Sequence, residues 1–445
     1  MRSLVCRFTF AFLTALVGTP PLVAAQILRE QTLDVSHPGE AVATITAGCK
    51  DCDWGIRGRE AVVLKLSIDG VYSQHLVLSR GERPVGYMVL LGPLSRGSHR
   101  LTVERDATRS AVGSGDATIA DISVRTYSPD SAEHEWLSRA PFLHARPGTL
   151  EQFSDVPLFM YVEKVAQDPT RYAYTVIFSH EDGGTPTDRL MATWGRSTDI
   201  EYVYGVTVPE NGGNRDEDYQ GRDHAILPFK GPRVGSHPLL WVFTHNNMVS
   251  DTGPSGAVRF APAPALVHLE NVSREQVMDD NPWLYASTTA ELAREGRIDE
   301  NAVPGTGKVA DPRRYAVVEA CGTVTDAMLA FDIGVGPSEG AITWHASEGG
   351  DPRFRIARNG CFRSAVRLPA NTRLEAIKAV RARAYTRPPQ NGEAPLPAGH
   401  GRVELRRLNT VFMLDAHFTP VRSNLQWIGS LPIQGESPAR TIPQQ

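Results

Sequence analysis

Short apolar segments separated by turn residues recur along most of the chain, and this pattern limits what it can fold into. The segments are rich in Val, Leu and Ile, and several alternate apolar with polar residues, as in "AVVLKLSIDG" and "HRLTVERD". The 32 prolines and 39 glycines favour many turns between short strands. The sequence therefore predicts an all-β protein with two or three antiparallel β-sandwich (jelly-roll-like) domains and one short helical segment.

The strand-like segments fall into three successive groups. We expect an N-terminal β-sandwich over residues 26–138, a central β-sandwich with a trailing helix over 139–300, and a C-terminal β-rich domain or extension over 301–432. In the central group, "DRLMATWGR" and "TDIEYVYGVTV" are both predicted strands. The polar, proline-containing residues 433–445 are predicted to form a disordered tail.

Residues 1–25 have the three parts of a secretory signal peptide. Arg2 and Arg7 precede an apolar stretch, which ends in the small residues Ala24 and Ala25. This stretch is too short to span a bilayer, and no later segment is long and apolar enough for a transmembrane helix. We therefore expect a secreted or periplasmic protein without a transmembrane segment.

Removal of residues 1–25 would leave four cysteines. Four cysteines in an exported protein suggest two disulfides. We expect the pair Cys49–Cys52, which closes a tight loop, and the pair Cys321–Cys361, which joins two strand-like segments; the two other connectivities stay open. Redox activity or zinc binding at the C-x-x-C is not favoured, because a thioredoxin-like setting and a second C-x-x-C are both missing.

The charge distribution and the missing motifs exclude some classes of function. The formal net charge is −4 and the basic residues are spread along the chain, so we do not expect a nucleic-acid partner. The chain also lacks a G-x-S-x-G elbow, which disfavours an α/β-hydrolase.

The predicted strand "TDIEYVYGVTV" carries two acidic residues in an apolar run. Because side chains alternate along a strand, Asp199 and Glu201 should share one face, about 7 Å apart. Two such acids repel each other unless a cation, an arginine or a proton lies between them. Both are candidate catalytic and metal-binding residues. A purely structural pairing of Asp199 with Arg196, Arg222 or Arg189 stays open.

Neighbouring segments end in polar residues that an antiparallel sheet can bring to one rim. The predicted ligand-binding residues at these ends are His180, Glu181, Asp182, His245, Asn246 and Asn247. The loop between them supplies Asp223 and His224 as further candidate catalytic residues. Such a rim can hold one divalent cation: calcium or magnesium with oxygen ligands, or a transition metal if histidines join.

The order of D-x-E strand, acidic loop with histidine and "GSHPLLWVFTHNN" resembles a β-sandwich superfamily. That superfamily includes the necrosis- and ethylene-inducing cytolysins and the vacuolar-sorting-associated sandwich proteins. The stretch from Gly195 to Glu201 keeps the D-x-E of a cytolysin motif that binds a divalent ion, but not its two histidines. The resemblance covers only the middle region. It implies a cation at Asp199 and Glu201, and His237 matches the histidine-proline start of a later strand.

These features predict a secreted protein that binds an extracellular or cell-envelope glycan, or another cell-surface ligand, through a metal-assisted polar rim. The alternative is a glycan-active hydrolase or lyase that uses Asp199 or Glu201 as one carboxylate. Its partner would be Glu181, Asp182, Asp223 or His224. A hydrolase needs two carboxyl groups about 5 to 10 Å apart across a cleft. Convergence in a deep pocket would favour the enzyme, and a scattered arrangement would favour binding.

Overall fold

The computed structural model describes residues 26–181, 183–210, 212–337, 340–390 and 392–444. The predicted signal peptide and Asp182 lie outside the described residues. Strands make up 46% of the chain and helices 11%, which confirms the predicted all-β class. Within the described part, none of the helices has the length and apolar character needed to cross a membrane.

The N-terminal region is a sandwich of two antiparallel sheets around one apolar core. Its strands are β1 (Gln26–Val35), β2 (Gly39–Cys49), β3 (Val63–Ile68), β4 (Val71–Val77), β5 (Val85–Leu94), β6 (Gly97–Arg105) and β7 (Ala117–Tyr127). One sheet has the order β1-β6-β3-β4 and the other has the order β5-β2-β7. The alternating residues Ile45, Leu64 and Leu66 are fully buried between the sheets, as expected for strands with one face on a core.

The central region contains two larger sheets. Its strands are β8 (Phe142–His144), β9 (Pro157–Gln167), β10 (Thr170–Phe178), β11 (Ile200–Val208), β12 (Arg215–Gln220), β13 (Ile226–Pro228), β14 (Arg233–Val234), β15 (His237–Val242), β16 (Val249–Ser250), β17 (Arg259–Phe260) and β18 (Ala265–Val267). The first sheet has the order β13-β12-β11-β10-β9-β18. The second has the order β14-β15-β8-β17, with β16 paired to β15. The pairs β8–β15 and β9–β18 are parallel, unlike the other pairs of these sheets.

Helices lie beside the central sheets, and one of them replaces a predicted strand. They are α1 (Ala132–Leu137), α2 (Thr149–Gln152), α3 (Thr187–Trp194), α4 (Gln276–Asp280) and α5 (Trp283–Arg294). The segment "DRLMATWGR" forms α3 and not a strand. Pro186 precedes the first helical residue, and Gly195 ends the helix in the left-handed conformation. Leu190 and Met191 are buried on its inner side, so tertiary packing supports the helix.

The C-terminal region is a third pair of antiparallel sheets. Its strands are β19 (Tyr315–Thr325), β20 (Ala327–Val335), β21 (Thr343–Ala346), β22 (Gly360–Arg367), β23 (Ile377–Thr386), β24 (Arg402–Leu414), β25 (Pro420–Arg422), β26 (Trp427–Gln434) and β27 (Arg440–Thr441). One sheet has the order β22-β19-β24-β25, with β26 on β24, and the other has the order β21-β20-β23-β27.

The described part of the segment 433–445 is not a disordered tail. Strand β27 pairs with β23, and the side chain of Ile442 is buried in the C-terminal core. Burial of this apolar side chain and the ladder hydrogen bonds offset the entropy lost on ordering the segment.

Both predicted disulfides are present. Cys49 is bonded to Cys52, and Cys321 is bonded to Cys361. The second bond joins directly opposite residues of β19 and β22. Two disulfides are typical of a protein that folds in an oxidising compartment.

Candidate functional site

A cavity of about 440 Å³ lies at the beginning of β11 in the central region. The chain reaches it from several elements: the end of β10, helix α3, the end of β12 and the segment before α4. The charged and aromatic side chains on its wall are Glu181, Asp199, Glu201, Arg196, Arg274 and Trp194. The cavity therefore combines acidic, basic and aromatic groups that are far apart in the sequence.

Two glycines allow the chain to turn tightly around the cavity. Gly195 has a φ of 67°, and a Cβ placed on it would lie 2.7 Å from the Cβ of Arg363. A Cβ on Gly184 would lie 2.2 Å from Oε1 of Glu181 and 2.0 Å from Oδ1 of Asn246. A larger residue at either position would displace the neighbouring side chains, so both turns depend on glycine.

Asp199 is almost completely buried at the back of the cavity. Its Oδ2 accepts a hydrogen bond of 3.1 Å from Nδ2 of Asn247, and its Oδ1 lies 3.9 Å from Nη1 of Arg196. Burial and the charge of the nearby Glu201 raise the pKa of Asp199 well above its usual value.

Glu201 has two polar neighbours on the opposite side of the cavity. Nε2 of Gln220 donates a hydrogen bond to Oε2 of Glu201, and Nδ1 of His224 lies 4.0 Å from the same oxygen. Gln220 ends β12, and His224 follows in a short 3₁₀ turn. Glu201 therefore has one amide donor and an exposed histidine nearby.

Glu181 is the third acid of the cavity. The backbone N–H of Thr185 donates a hydrogen bond to its Oε1. Burial, followed by the charge of Asp199, raises the pKa of Glu181 to about 7. A carboxyl group with this pKa exchanges a proton readily near neutral pH, which an ordinary glutamate does not do.

The predicted alternation along β11 fails after Glu201. A shift in the β10–β11 pairing between Tyr174 and Thr175 places an extra residue at Val203. Val203 and Tyr204 both enter the core, whereas Tyr202 is half-buried and its hydroxyl donates a hydrogen bond to Asp218. Asp199 and Glu201 precede this shift, and both line the cavity as predicted.

Five of the predicted site residues line the cavity: Glu181, Asp199, Glu201, His224 and Asn246. Asn247 lies behind it, fully buried, and donates to Asp199. Asp223 and His245 are exposed and do not line the cavity, because the turns that carry them direct these residues to solvent.

His237 is not part of the site, and its prediction as a metal ligand is wrong. The residue begins β15, in the other central sheet, and its ring stacks on Phe142 at 4.5 Å. Its Nε2 lies 3.0 Å from Oε2 of Glu40, and its Nδ1 lies 2.9 Å from the carbonyl oxygen of Ala140. These contacts connect the N-terminal and central regions.

His180 belongs to a separate buried cluster with Glu291 and Glu295. One ligand atom from each of the three lies within 4.8 Å of the others. Nε2 of His180 is 3.7 Å from Oε2 of Glu295, while Nε1 of Trp54 donates to Oε2 of Glu291. Arg294 and Arg297 lie 3.3 and 2.9 Å from the two glutamates. Among the described residues, this is the only group of three or more His, Cys, Asp or Glu residues whose ligand atoms lie so close together.

Neither Arg274 nor Gln220 was predicted to line the cavity. Trp194 lies in a segment that was predicted as a strand and that forms α3 instead. Trp194 and Arg196 lie close to the D-x-E pair in the sequence, and this proximity could have indicated that both residues line the cavity. No comparable signal marks Arg274, which reaches the cavity only through the packing of α4.

Comparison with protein-family models and with curated proteins finds no match for this chain. The fold and the site define its class: an all-β protein of several sheets with a cavity that gathers buried carboxyl groups.

Proposed function

We propose that this cavity binds sugar residues of an extracellular or cell-envelope glycan and hydrolyses a glycosidic bond there, in a secreted or periplasmic protein. The observation that carries the proposal is the convergence of Glu181, Asp199 and Glu201 on one cavity. Its volume is in the range of small-molecule sites. Clustered acids with perturbed pKa values are a frequent mark of catalytic sites.

The three acids can divide the chemistry of hydrolysis between them. Glu181, with its raised pKa, donates its proton to the glycosidic oxygen as the bond from that oxygen to the sugar carbon breaks. In one route, Glu201 accepts a proton from a water molecule as the oxygen of that water bonds to the same carbon. In the other route, Glu201 itself bonds to that carbon, and water then hydrolyses the intermediate. Burial and the charge of Asp199 keep the proton on Glu181 until the glycosidic bond breaks, because both raise the pKa of Glu181.

Trp194 supports a sugar as the ligand. Its side chain is half-buried on the cavity wall, beside the acids. An aromatic face next to polar groups suits a pyranose ring, which has apolar C–H faces and hydroxyl edges. Gln220 and Asn246 supply amide groups on the same wall for those hydroxyls.

A divalent cation at this site is an alternative to proton transfer by these acids, because a carboxylate that binds a cation does not carry a proton. Asp199, Glu201 and the amide of Asn246 offer the oxygen ligands that calcium and magnesium prefer. A bound cation would neutralise the carboxylates and orient sugar hydroxyls. Elemental analysis of the purified protein tests this, with Asp199→Ala as the variant that should lose the ion. A parallel Glu295→Ala variant reports whether any ion belongs to the His180 cluster instead.

A glycan array followed by a reducing-sugar assay tests the function. We expect the wild-type protein to bind a set of glycans and to release reducing ends from them. Glu181→Gln should still bind them but release almost none. The exposed Glu151→Gln is the matched control and should behave as wild type. Full turnover by Glu181→Gln would remove this residue from catalysis.

The second candidate is a glycan-binding protein without turnover. Arg196 lies within 4 Å of Asp199, so at least one acid has a structural partner. Array binding that depends on Glu201 and Trp194, without reducing ends from any bound glycan, would favour this function. The absence of binding to any glycan would contradict both.

A further inference from the structure

Three arginines surround the tryptophan on the cavity wall. The guanidinium carbons of Arg358, Arg274 and Arg196 lie 3.6, 5.2 and 5.4 Å from the ring centroid of Trp194. The guanidinium of Arg196 is almost fully buried, and that of Arg274 is partly open to the cavity. Of these three, Arg196 and Arg274 line the cavity and bring positive charge to it beside the acids.

Carboxylates lie near these arginines. Glu275 lies 3.2 Å from Nε of Arg196 and 3.8 Å from Nε of Arg274, and Asp199 lies 3.9 Å from Arg196. Burial lowers the pKa of Arg274, but the charges of Glu275, Glu201 and Asp199 outweigh this effect and raise it. Arg274 therefore keeps its positive charge at the cavity.

Arg274 differs from the other two arginines in its hydrogen bonds. Arg196 donates to Glu275, and Arg358 donates to the carbonyl oxygen of Thr193 at 2.6 Å. The guanidinium of Arg274 donates no hydrogen bond to any residue in the described part of the chain, although it lines the cavity. Its planar set of donors matches the two oxygens of a carboxylate or sulfate.

We propose that the cavity selects an acidic sugar, whose carboxylate or sulfate is bound by Arg274 while its ring lies on Trp194. This inference rests on the proposed function and names the substrate class. The anion would accept the hydrogen bonds that the guanidinium of Arg274 does not donate to the described residues.

Calorimetric titration of the full-length mature protein tests the selection. The probes are glucuronate and galacturonate for the carboxylate, glucose 6-sulfate for the sulfate, and glucose and galactose as neutral counterparts. We expect at least one acidic probe to bind at least about tenfold more tightly than its neutral counterpart, which is the affinity that 1.4 kcal/mol provides. The advantage should shrink as salt is raised. The acidic probe that binds more tightly shows whether the cavity prefers a carboxylate or a sulfate.

Arg274→Met should remove the advantage of the acidic probe, and Arg274→Lys should restore part of it. Arg29→Met, at an exposed position of β1, is the matched control and should keep it. Equal affinity for acidic and neutral probes, or an advantage that salt does not reduce, would overturn the proposal. The salt test uses the wild-type protein, so it decides the question even if Arg274→Met fails to fold.

Failure of this inference is distinguishable from failure of the proposed function. Hydrolysis of neutral glycans without acidic selectivity would overturn the inference and leave the function standing. Salt-sensitive binding of acidic sugars without hydrolysis of any acidic oligosaccharide would support the inference and overturn the catalytic proposal.

Discussion

Two groups of buried charges lie next to each other in this protein, and their hydrogen bonds differ. In the first, the guanidinium of Arg363 is fully buried and donates from Nε to Glu319 at 2.5 Å. Its Nη1 and Nη2 each donate to Asp279 at 2.8 Å. In the second, the cavity, Asp199 lies 3.9 Å from Arg196, and Arg274 donates no hydrogen bond to the described residues.

The difference separates a structural network from a candidate site. Around Arg363 each acid has a basic partner, and Ser273 and Asn409 satisfy further oxygens of Glu319. Such a closed network stabilises the packing of α4 on β19 and β22. In the cavity the charged groups face an open volume, and Arg274 donates no hydrogen bond to an acid among the described residues. Incomplete pairing of this kind costs stability and is retained where a ligand completes it.

The largest expected effect is on catalysis by the acids of the cavity. Glu181→Gln removes the proton donor, so we expect hydrolysis of a bound glycan to fall by about 10²–10⁴-fold. Thermal unfolding should change little, because glutamine keeps the shape of the side chain. Reducing-sugar release and a melting curve on the same sample measure both. A large loss of stability would indicate that Glu181 has a structural role, like the acids around Arg363.

The next largest effect is on stability, through the network around Arg363. Arg363→Met leaves Glu319 buried without its basic partner and removes one of the two arginines at Asp279, so we expect the free energy of unfolding to drop by about 3–5 kcal/mol. Urea denaturation measures this, with the exposed Arg29→Met as the control. A loss below about 1 kcal/mol would mean that the hydrogen bonds around Arg363 do not stabilise the fold.

A smaller effect is the pH dependence of stability. The pKa of Glu181 rises from 4.5 in the unfolded chain to about 7 in the folded one, because of burial and the charge of Asp199. The folded state therefore binds more protons between these values, and stability falls as pH rises through them. We expect the free energy of unfolding to be lower by about 1–3 kcal/mol at pH 8 than at pH 4.5 from this group.

Glu181→Gln provides the control for that pH dependence. The variant should lose this part of the decrease and keep the part that comes from Asp199, whose pKa is raised in the same direction. Denaturation curves of both proteins across the pH range measure the difference. Identical pH profiles for the two proteins would contradict the raised pKa of Glu181.

The smallest effect concerns the connection behind the cavity. Nδ2 of Asn247 donates to Asp199, to Oδ1 of Asp155 at 3.3 Å and to the carbonyl oxygen of His180 at 3.2 Å. Asn247→Ala should reduce stability by about 1–2 kcal/mol, because buried acceptors lose their donor. It should also raise the pKa of Asp199 further, since this hydrogen bond lowers it. Carboxyl titration by NMR checks the direction.

Part of the candidate site could be predicted from the sequence. Asp199 and Glu201 were predicted to share a face because the two-residue period of a strand is a local property. The prediction held for both, since the shift in pairing comes after Glu201. His237 failed because a histidine before an apolar strand carries no information about which sheet that strand joins.

The sequence by itself determined the all-β class, because that class follows from local periodicity and turn residues. The choice of disulfide partners also agreed with a short loop and two neighbouring strand-like segments. Only the tertiary structure decided that Glu181, Trp194 and Arg274 meet at one cavity and that His180 does not. The physical reason is that contacts between distant segments depend on how helices and sheets pack against each other, and a local sequence pattern does not specify that packing.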